Sequence, residues 1–115
     1  MDRRKTLGQR GEAAAAAFLI KRGWQIIAKN YRINHFEIDL VASNNGTIAL
    51  FEIKTRAESA TFFPINPKQQ KTLGLAHYKF CEINKLNPEQ VSYNLLLINY
   101  FNHRASLEYY PNFLE

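Results

Sequence analysis

At 115 residues the chain has the usual size of a single domain, and we expect one domain over residues 1–115. Its 15 Lys and Arg against 10 Asp and Glu leave a net charge of +5, which suits a polyanionic partner. The single cysteine, Cys81, excludes an intramolecular disulfide and a cysteine-based zinc site, and we expect it to be a small core residue.

The first predicted element is a helix from Thr6 to Arg22, closed by Gly23. We expect its buried face to consist of Leu7, Gly11, Ala14 and Phe18. Glu12 lies near its first turns, where it either compensates the helix dipole or joins a site elsewhere.

The basic start of the chain and the apolar run Ala13–Ile20 superficially resemble a signal peptide. However, Lys21 and Arg22 stand where a small-residue cleavage site would be required, and the run is too short to span a bilayer. We therefore predict a cytoplasmic protein.

A strand from Trp24 to Tyr31 precedes the most informative stretch, a predicted β-hairpin formed by Phe36–Val41 and Ile48–Lys54. Asn45-Gly46 between them is a strong signal for a two-residue turn. If Asn44 pairs with Thr47, the same register pairs Asp39 with Glu52 and Glu37 with Lys54. One face of the hairpin would then carry Glu37, Asp39, Glu52 and Lys54. The opposite face would carry Phe36, Ile38, Leu40, Ala49, Phe51 and Ile53.

Two opposed carboxylates repel each other unless a positive charge lies between them, and Mg²⁺ is commonly held by one or two carboxylates together with substrate phosphate. Lys54 could bind a phosphate or orient an attacking water. This pattern is typical of metal-assisted phosphodiester hydrolysis. An exposed sheet face with solvated charges fits the same spacing, so the spacing leaves both interpretations open.

The rest of the chain predicts a loop, a helix and two strands. Ala57–Pro67 has no clear period and is predicted to be a loop, and a helix should run from Asn66 to Asn84. Leu73, Ala76, Phe80 and Ile83 should face the sheet. Val91–Phe101 predicts a strand buried on both faces, and Ala105–Tyr110 an edge strand. Together the elements predict an α/β fold, a mixed central sheet flanked by helices.

Candidate contacts to a nucleic acid lie near the two helix starts and after the hairpin. Arg10, Arg56, Lys68, Gln69 and Lys71 are these candidates. The last three open the second helix, where backbone N–H groups and the macrodipole also favour anions, although a solvated helix face explains them equally well.

Five motifs occur in the order of a known pattern. Gly11-Glu12, Asn30-Tyr31-Arg32, Glu37-Ile38-Asp39-Leu40-Val41, Phe51-Glu52-Ile53-Lys54-Thr55-Arg56 and Lys68-Gln69-Gln70-Lys71 resemble the YraN family. That family is similar to Holliday junction resolvases within the PD-(D/E)xK nuclease superfamily. The resemblance implies a restriction-endonuclease-like αβββαβ core and metal-dependent cleavage of DNA.

The resemblance also implies roles for individual residues. Asp39, Glu52 and the carbonyl of Ile53 would hold Mg²⁺ or Mn²⁺, and Lys54 would be the catalytic lysine. Glu12 matches a first-helix glutamate of the resolvase-like branch and joins the catalytic set. Glu37 matches an acidic residue of the family, to which we assign support of Lys54.

Two segments depart from the family pattern. Phe36 stands where members usually carry glycine, which bears on how the chain enters the strand, and Ser92-Tyr93-Asn94 stands where they often have Arg-Phe-Asp, whose lost charges bear on a substrate or partner contact. The leading hypothesis is nevertheless an endonuclease acting on branched or otherwise structured DNA. The alternatives are a non-catalytic nucleic-acid-binding or protein-interaction module with this fold, and, last, a basic domain with a charged sheet face.

A homodimer is expected by analogy, because a resolvase must cut two strands of a junction with two-fold character. The candidate contacts are the aromatic residues Phe62, Phe63, Tyr109 and Tyr110.

Overall fold

The computed structural model describes residues 6–57, 65–102 and 104–114. The helices are α1 (Leu7–Lys21) and α2 (Pro67–Asn84), with a 3-10 turn at Pro88–Gln90. The strands are β1 (Gln25–Ile33), β2 (Phe36–Asn44), β3 (Thr47–Ala57), β4 (Ser92–Phe101) and β5 (Arg104–Tyr110). The predicted loop around Phe62 and Phe63 falls outside the described residues, as does His103.

The five strands form one mixed sheet in the order β1-β2-β3-β4-β5. Strands β3 and β4 are parallel, and every other neighbouring pair is antiparallel. Helix α2 provides the crossover that a parallel pair requires. This architecture confirms the predicted α/β fold with its αβββαβ core and a mixed sheet flanked by helices.

Each helix begins at a capping residue beside its predicted start. The Thr6 hydroxyl accepts a hydrogen bond from the backbone of Gln9, whose side chain accepts one in return from the Thr6 amide. Asn66 Oδ1 accepts a hydrogen bond from the backbone of Gln69, and Pro67 is the first residue of α2.

The buried face of α1 differs from the predicted one. Gly11, Ala15, Ala16 and Leu19 are buried, whereas Leu7 is 43% exposed and Ala14 and Phe18 are half-buried. A side chain at Gly11 would collide with Thr55 of β3. The close approach of the helix backbone to the strand at Gly11 therefore sets the rotation of α1 on the sheet.

The buried face of α2 matches the prediction except at its end. Leu73, Ala76 and Phe80 are buried, but Ile83 is 52% exposed and Cys81 takes its place in the core. Cys81 and not Ile83 therefore completes the buried face of the helix.

The sheet has a core on each side. The core beneath α2 contains Ile33, Ile38, Val41, Leu50, Tyr93 and Leu95 from the strands, and the core beneath α1 contains Leu40, Ala42, Ala49, Phe51, Ile53, Leu96 and Ile98. Phe36 and Ile38 were expected on the same face of the hairpin as Leu40, and this expectation was wrong. The alternation fails at Asp39, where β2 departs from β3.

Strand β4 is buried on both faces as predicted, because each of its neighbours and both helices cover it. The part of the chain that the structure describes contains no helix both long and apolar enough to cross a membrane.

Candidate active site

The hairpin has the predicted register over its inner half. The pairs run from Asn44–Thr47 to Leu40–Phe51, and there the β2–β3 ladder ends. The Asp39 Oδ2 atom lies 2.8 Å from the backbone nitrogen of Ile53, which donates a hydrogen bond to it. In a continued ladder this amide would donate to Ile38, so the Asp39 carboxylate replaces a strand-to-strand bond. The expected ladder pairs Asp39–Glu52 and Glu37–Lys54 are therefore absent.

The carboxyl groups of Asp39 and Glu52 nevertheless meet, and we call them the acidic pair. They hydrogen-bond to each other on the α2 side of the sheet, and Glu52 is 6% exposed. Burial, followed by the Asp39 carboxylate, raises the pKa of Glu52 to about 8. Burial also raises the pKa of Asp39, although the Ile53 amide opposes this change. The acidic pair thus retains a proton that two solvated carboxyl groups would lose.

Lys54 and Gln69 approach the same oxygen of the acidic pair. Lys54 Nζ lies 3.5 Å from Glu52 Oε2, and Gln69 Nε2 lies 3.5 Å from that oxygen. Lys54 is half-buried and projects from the same strand as Glu52, whereas Gln69 comes from the first turn of α2. Sequence reasoning assigned Gln69 to a nucleic acid, because nothing in the sequence indicated that α2 begins directly above Glu52.

Two other carboxylates expected at the site have different described surroundings, although the charge of Glu37 also raises the pKa of Asp39. Glu37 forms an ion pair with Arg32 Nε on β1 at 3.4 Å, in place of the expected pairing with Lys54. Glu12 is exposed on α1, which packs on the other side of the sheet. Among the described residues, no group of three His, Cys, Asp or Glu side chains could hold a metal ion.

The basic candidates fall into two groups. Arg10, Lys68 and Lys71 are exposed at the starts of α1 and α2. Arg56 instead donates to Asn99 Oδ1 at 2.6 Å and pairs with Glu108, to which Asn99 and Tyr110 also donate. We call Arg56, Asn99, Glu108 and Tyr110 the arginine network.

The segment Ser92-Tyr93-Asn94, a departure from the family pattern, is internal. Asn94 is buried, donates to the carbonyl of Leu50 and to Ser92 Oγ, and accepts from the amide of Asn112. An aspartate could not donate these two hydrogen bonds. The departure at this position thus serves the packing of the chain and does not remove a surface contact.

Two solved structures share this arrangement of strands and helices. The Holliday junction resolvase Hjc of Archaeoglobus fulgidus is similar over 93% of this chain and 74% of that chain, with a TM-score of 0.56 and 20% identity. A repair endonuclease from Pyrococcus abyssi is similar over 90% of this chain and 42% of that chain, with a TM-score of 0.55 and 16% identity. At these identities the likeness is one of fold, and the fold is that of a nuclease-like α/β protein.

The chain belongs to the family described as Uncharacterised protein family UPF0102, whose model matches residues 11–98. This match confirms the resemblance to the YraN family.

Individual relatives match shorter stretches. A UPF0102 protein of Chlorobium phaeobacteroides strain DSM 266 is 43% identical over 70 residues, 58% of this chain and 55% of the relative. One from Chloroflexus aurantiacus is 41% identical over 76 residues, 65% of this chain and 63% of the relative. In Oleidesulfovibrio alaskensis the identity is 50% over 50 residues, 44% of this chain and 25% of the relative. The chain thus spans between a quarter and two thirds of the length of these relatives.

Proposed function

We propose that this protein is a divalent-metal-dependent endonuclease that hydrolyses phosphodiester bonds of DNA, with branched or otherwise structured DNA as its substrate. The observation that carries the proposal is the acidic pair with Lys54 beside it, at the point where β2 leaves β3. The nuclease-like fold supports the same reaction class, and so does its likeness to a Holliday junction resolvase and a repair endonuclease.

The residues present suit Mg²⁺ or Mn²⁺. Carboxylate oxygens are the ligands that these hard cations prefer, and the raised pKa values of Asp39 and Glu52 mark a place where negative charge lacks compensation. Asp39, Glu52 and the carbonyl of Ile53 would hold the ion. When bound, it would polarise the scissile phosphoryl group and acidify the attacking water.

The remaining side chains have separate tasks in this proposal. The Lys54 ammonium, held beside Glu52, orients the water and offsets the charge that develops on the phosphoryl oxygens. Gln69 restrains the same Glu52 oxygen from above. The exposed Arg10, Lys68 and Lys71 contact backbone phosphates.

One observation favours the alternative, a non-catalytic nucleic-acid-binding or protein-interaction module with a nuclease-like fold. The Glu12 carboxylate is exposed on α1 and lies outside the acidic pair. Among the residues that the structure describes, the site then has two acidic ligands, both of which also serve the structure. Under this alternative the exposed basic side chains bind DNA without cleavage.

Cleavage of labelled DNA separates the two functions. Four-way junction, flap, single-stranded and linear duplex DNA are incubated with Mg²⁺, Mn²⁺ or EDTA, using the wild type, Asp39→Asn and the control Glu82→Gln. Glu82 lies on the outer surface of α2, paired with Lys79, so its replacement makes the same chemical change away from the site. We expect metal-dependent cleavage that Asp39→Asn lowers about a hundredfold or more and Glu82→Gln leaves intact. DNA binding by the wild type without cleavage in either metal would establish the alternative.

Two further proposals depend on the DNA substrate. Cutting both strands of a junction requires two active sites, so we propose a homodimer on junction DNA. Because the proposed substrate is cellular DNA, we also propose a cytoplasmic location. Tyr109 is exposed at the β5 edge and remains a candidate contact, whereas Tyr110 donates to Glu108. The mass of the protein–junction complex in the same experiment counts the copies, and a single copy would contradict the dimer.

A further inference from the structure

Tyr93 lies at the centre of the core beneath α2, and its ring is held from two sides. It is 2% exposed, and the rings of His77 on α2 and Phe113 pack edge-on against it, with centroids 6.1 and 5.7 Å away. The amide of Phe113 also donates to the Tyr93 carbonyl at 3.2 Å. The C-terminal turn therefore closes over this side chain and leaves it little freedom to move.

The Tyr93 hydroxyl is fully buried and has no hydrogen-bond partner within the part of the chain that the structure describes. A buried hydroxyl without a partner costs free energy, so chains rarely keep one where phenylalanine would fill the same space. The buried Tyr93 hydroxyl therefore needs a specific hydrogen-bond acceptor.

The acidic pair offers carboxylate oxygens on the same side of the sheet. In the parallel register of β3 and β4, Tyr93 pairs with Leu50, and Glu52 pairs with Leu95. Tyr93 and Glu52 are thus diagonal neighbours on the α2 side of the sheet, within the reach of an aromatic side chain. The charges of Glu52 and Asp39, after burial, also raise the pKa of the Tyr93 phenol, which therefore remains a proton donor.

We propose that Tyr93 is a positioning residue whose hydroxyl donates a hydrogen bond through one water to the Glu52 carboxylate, and so fixes the orientation in which Glu52 binds a cation. This inference rests on the proposed function of the acidic pair. Partners of this kind around a metal ligand typically change metal affinity by about 10–100-fold.

The hydrogen bond itself is tested without metal. Urea unfolding at about pH 9 compares the wild type, Tyr93→Phe, Glu52→Leu and the double variant. We expect Tyr93→Phe to lower the urea midpoint when Glu52 is present, and to leave it unchanged or raise it in the Glu52→Leu background, where the hydroxyl has lost its acceptor. Equal shifts in both backgrounds would overturn the proposal.

The positioning role is tested with Mn²⁺. Titration of the metal-free protein should give a dissociation constant about tenfold higher for Tyr93→Phe than for the wild type. The control Tyr100→Phe removes a hydroxyl on the α1 side of the sheet and should leave the constant unchanged. Equal Mn²⁺ affinity of Tyr93→Phe and the wild type would overturn the role, even if Glu52→Leu fails to fold.

The two experiments distinguish failure of the proposed function from failure of the proposed hydrogen bond. A wild type that binds no Mn²⁺ would contradict the proposed function and, with it, the positioning role of Tyr93. The unfolding cycle would still decide whether the Tyr93 hydroxyl bonds to Glu52.

Discussion

The acidic pair and the arginine network both involve β3, yet the pKa values of their carboxyl groups are shifted in opposite directions. Glu108 accepts hydrogen bonds from Tyr110 and Asn99, and these donors, together with the nearby Arg56, hold the pKa of Glu108 below its usual range. Glu52 is buried beside a second carboxyl group, and its pKa is raised to about 8 although Lys54 is near. In the arginine network the donors match the carboxylate, whereas Lys54 does not compensate both carboxyl groups of the acidic pair.

This difference separates a structural cluster from a site that suits a ligand. A network whose donors and acceptors are matched stabilises the fold and gains nothing from a cation. A buried pair of carboxyl groups that keeps a proton can exchange that proton for a metal ion. We therefore place the proposed chemistry at the acidic pair, and assign Arg56, which sequence reasoning gave to DNA, to the support of β4 and β5.

The largest expected effect belongs to Lys54. Lys54→Ala should lower cleavage of the preferred DNA about a hundredfold or more while binding changes little, because its charge acts on the developing phosphoryl charge. Cleavage rates and DNA dissociation constants measure the two effects separately. Lys79→Ala, which removes an exposed ammonium paired with Glu82, is the matched control. Equal losses of binding and cleavage would show that Lys54 is only a DNA contact.

Glu52→Gln should stabilise the metal-free protein in alkaline solution. A raised pKa means that the folded state holds the Glu52 proton more tightly than the unfolded state, so the free energy of unfolding falls as pH rises from about 4.5 towards 8. Glutamine removes this loss. We therefore expect Glu52→Gln to raise the free energy of unfolding by about 1–3 kcal/mol at pH 9 and by almost nothing at pH 4, because a pKa shift contributes roughly 1.4 kcal/mol per unit. Thermal and urea unfolding across this pH range measure it. A destabilised variant at pH 9 would show that Glu52 is already compensated.

Glu108→Gln should lower the free energy of unfolding, opposite in sign to the effect of Glu52→Gln, and this should be the smallest of the three effects. The lowered pKa of Glu108 means that its ionised form stabilises the fold at neutral pH, and that this contribution disappears as pH falls through the folded pKa. Because the side chain is 42% exposed, solvent screening limits the loss to about 0.5–1 kcal/mol at pH 7. The same unfolding measurements serve here, with the difference expected to vanish in strong acid. A loss that persists in acid would instead indicate altered packing.

Local patterns explain why much of the fold was predictable. The turn at Asn45-Gly46, the caps at Thr6 and Asn66 and the apolar run of β4 depend on neighbours within a few residues. The acidic pair was also identified, because the hairpin register holds as far as Leu40–Phe51, and Asp39 and Glu52 are the next residues of the two strands. The expected helix faces were wrong for α1, where Gly11 lies close against Thr55, and at Ile83, which is exposed although it continues the apolar spacing of α2.

The sequence by itself determined the strands, the helices and the family, because short-range periodicity and ordered motifs encode them. Only the tertiary structure decided that Asp39 accepts a hydrogen bond from the Ile53 amide and that Gln69 donates one to Glu52. It also decided that the Tyr93 hydroxyl lies buried without a described partner. These contacts join residues between 14 and 17 positions apart, or lie across two strands joined by a helix. They depend on where β2 leaves β3 and on where α2 begins above the sheet. Packing sets both, and no local pattern records them.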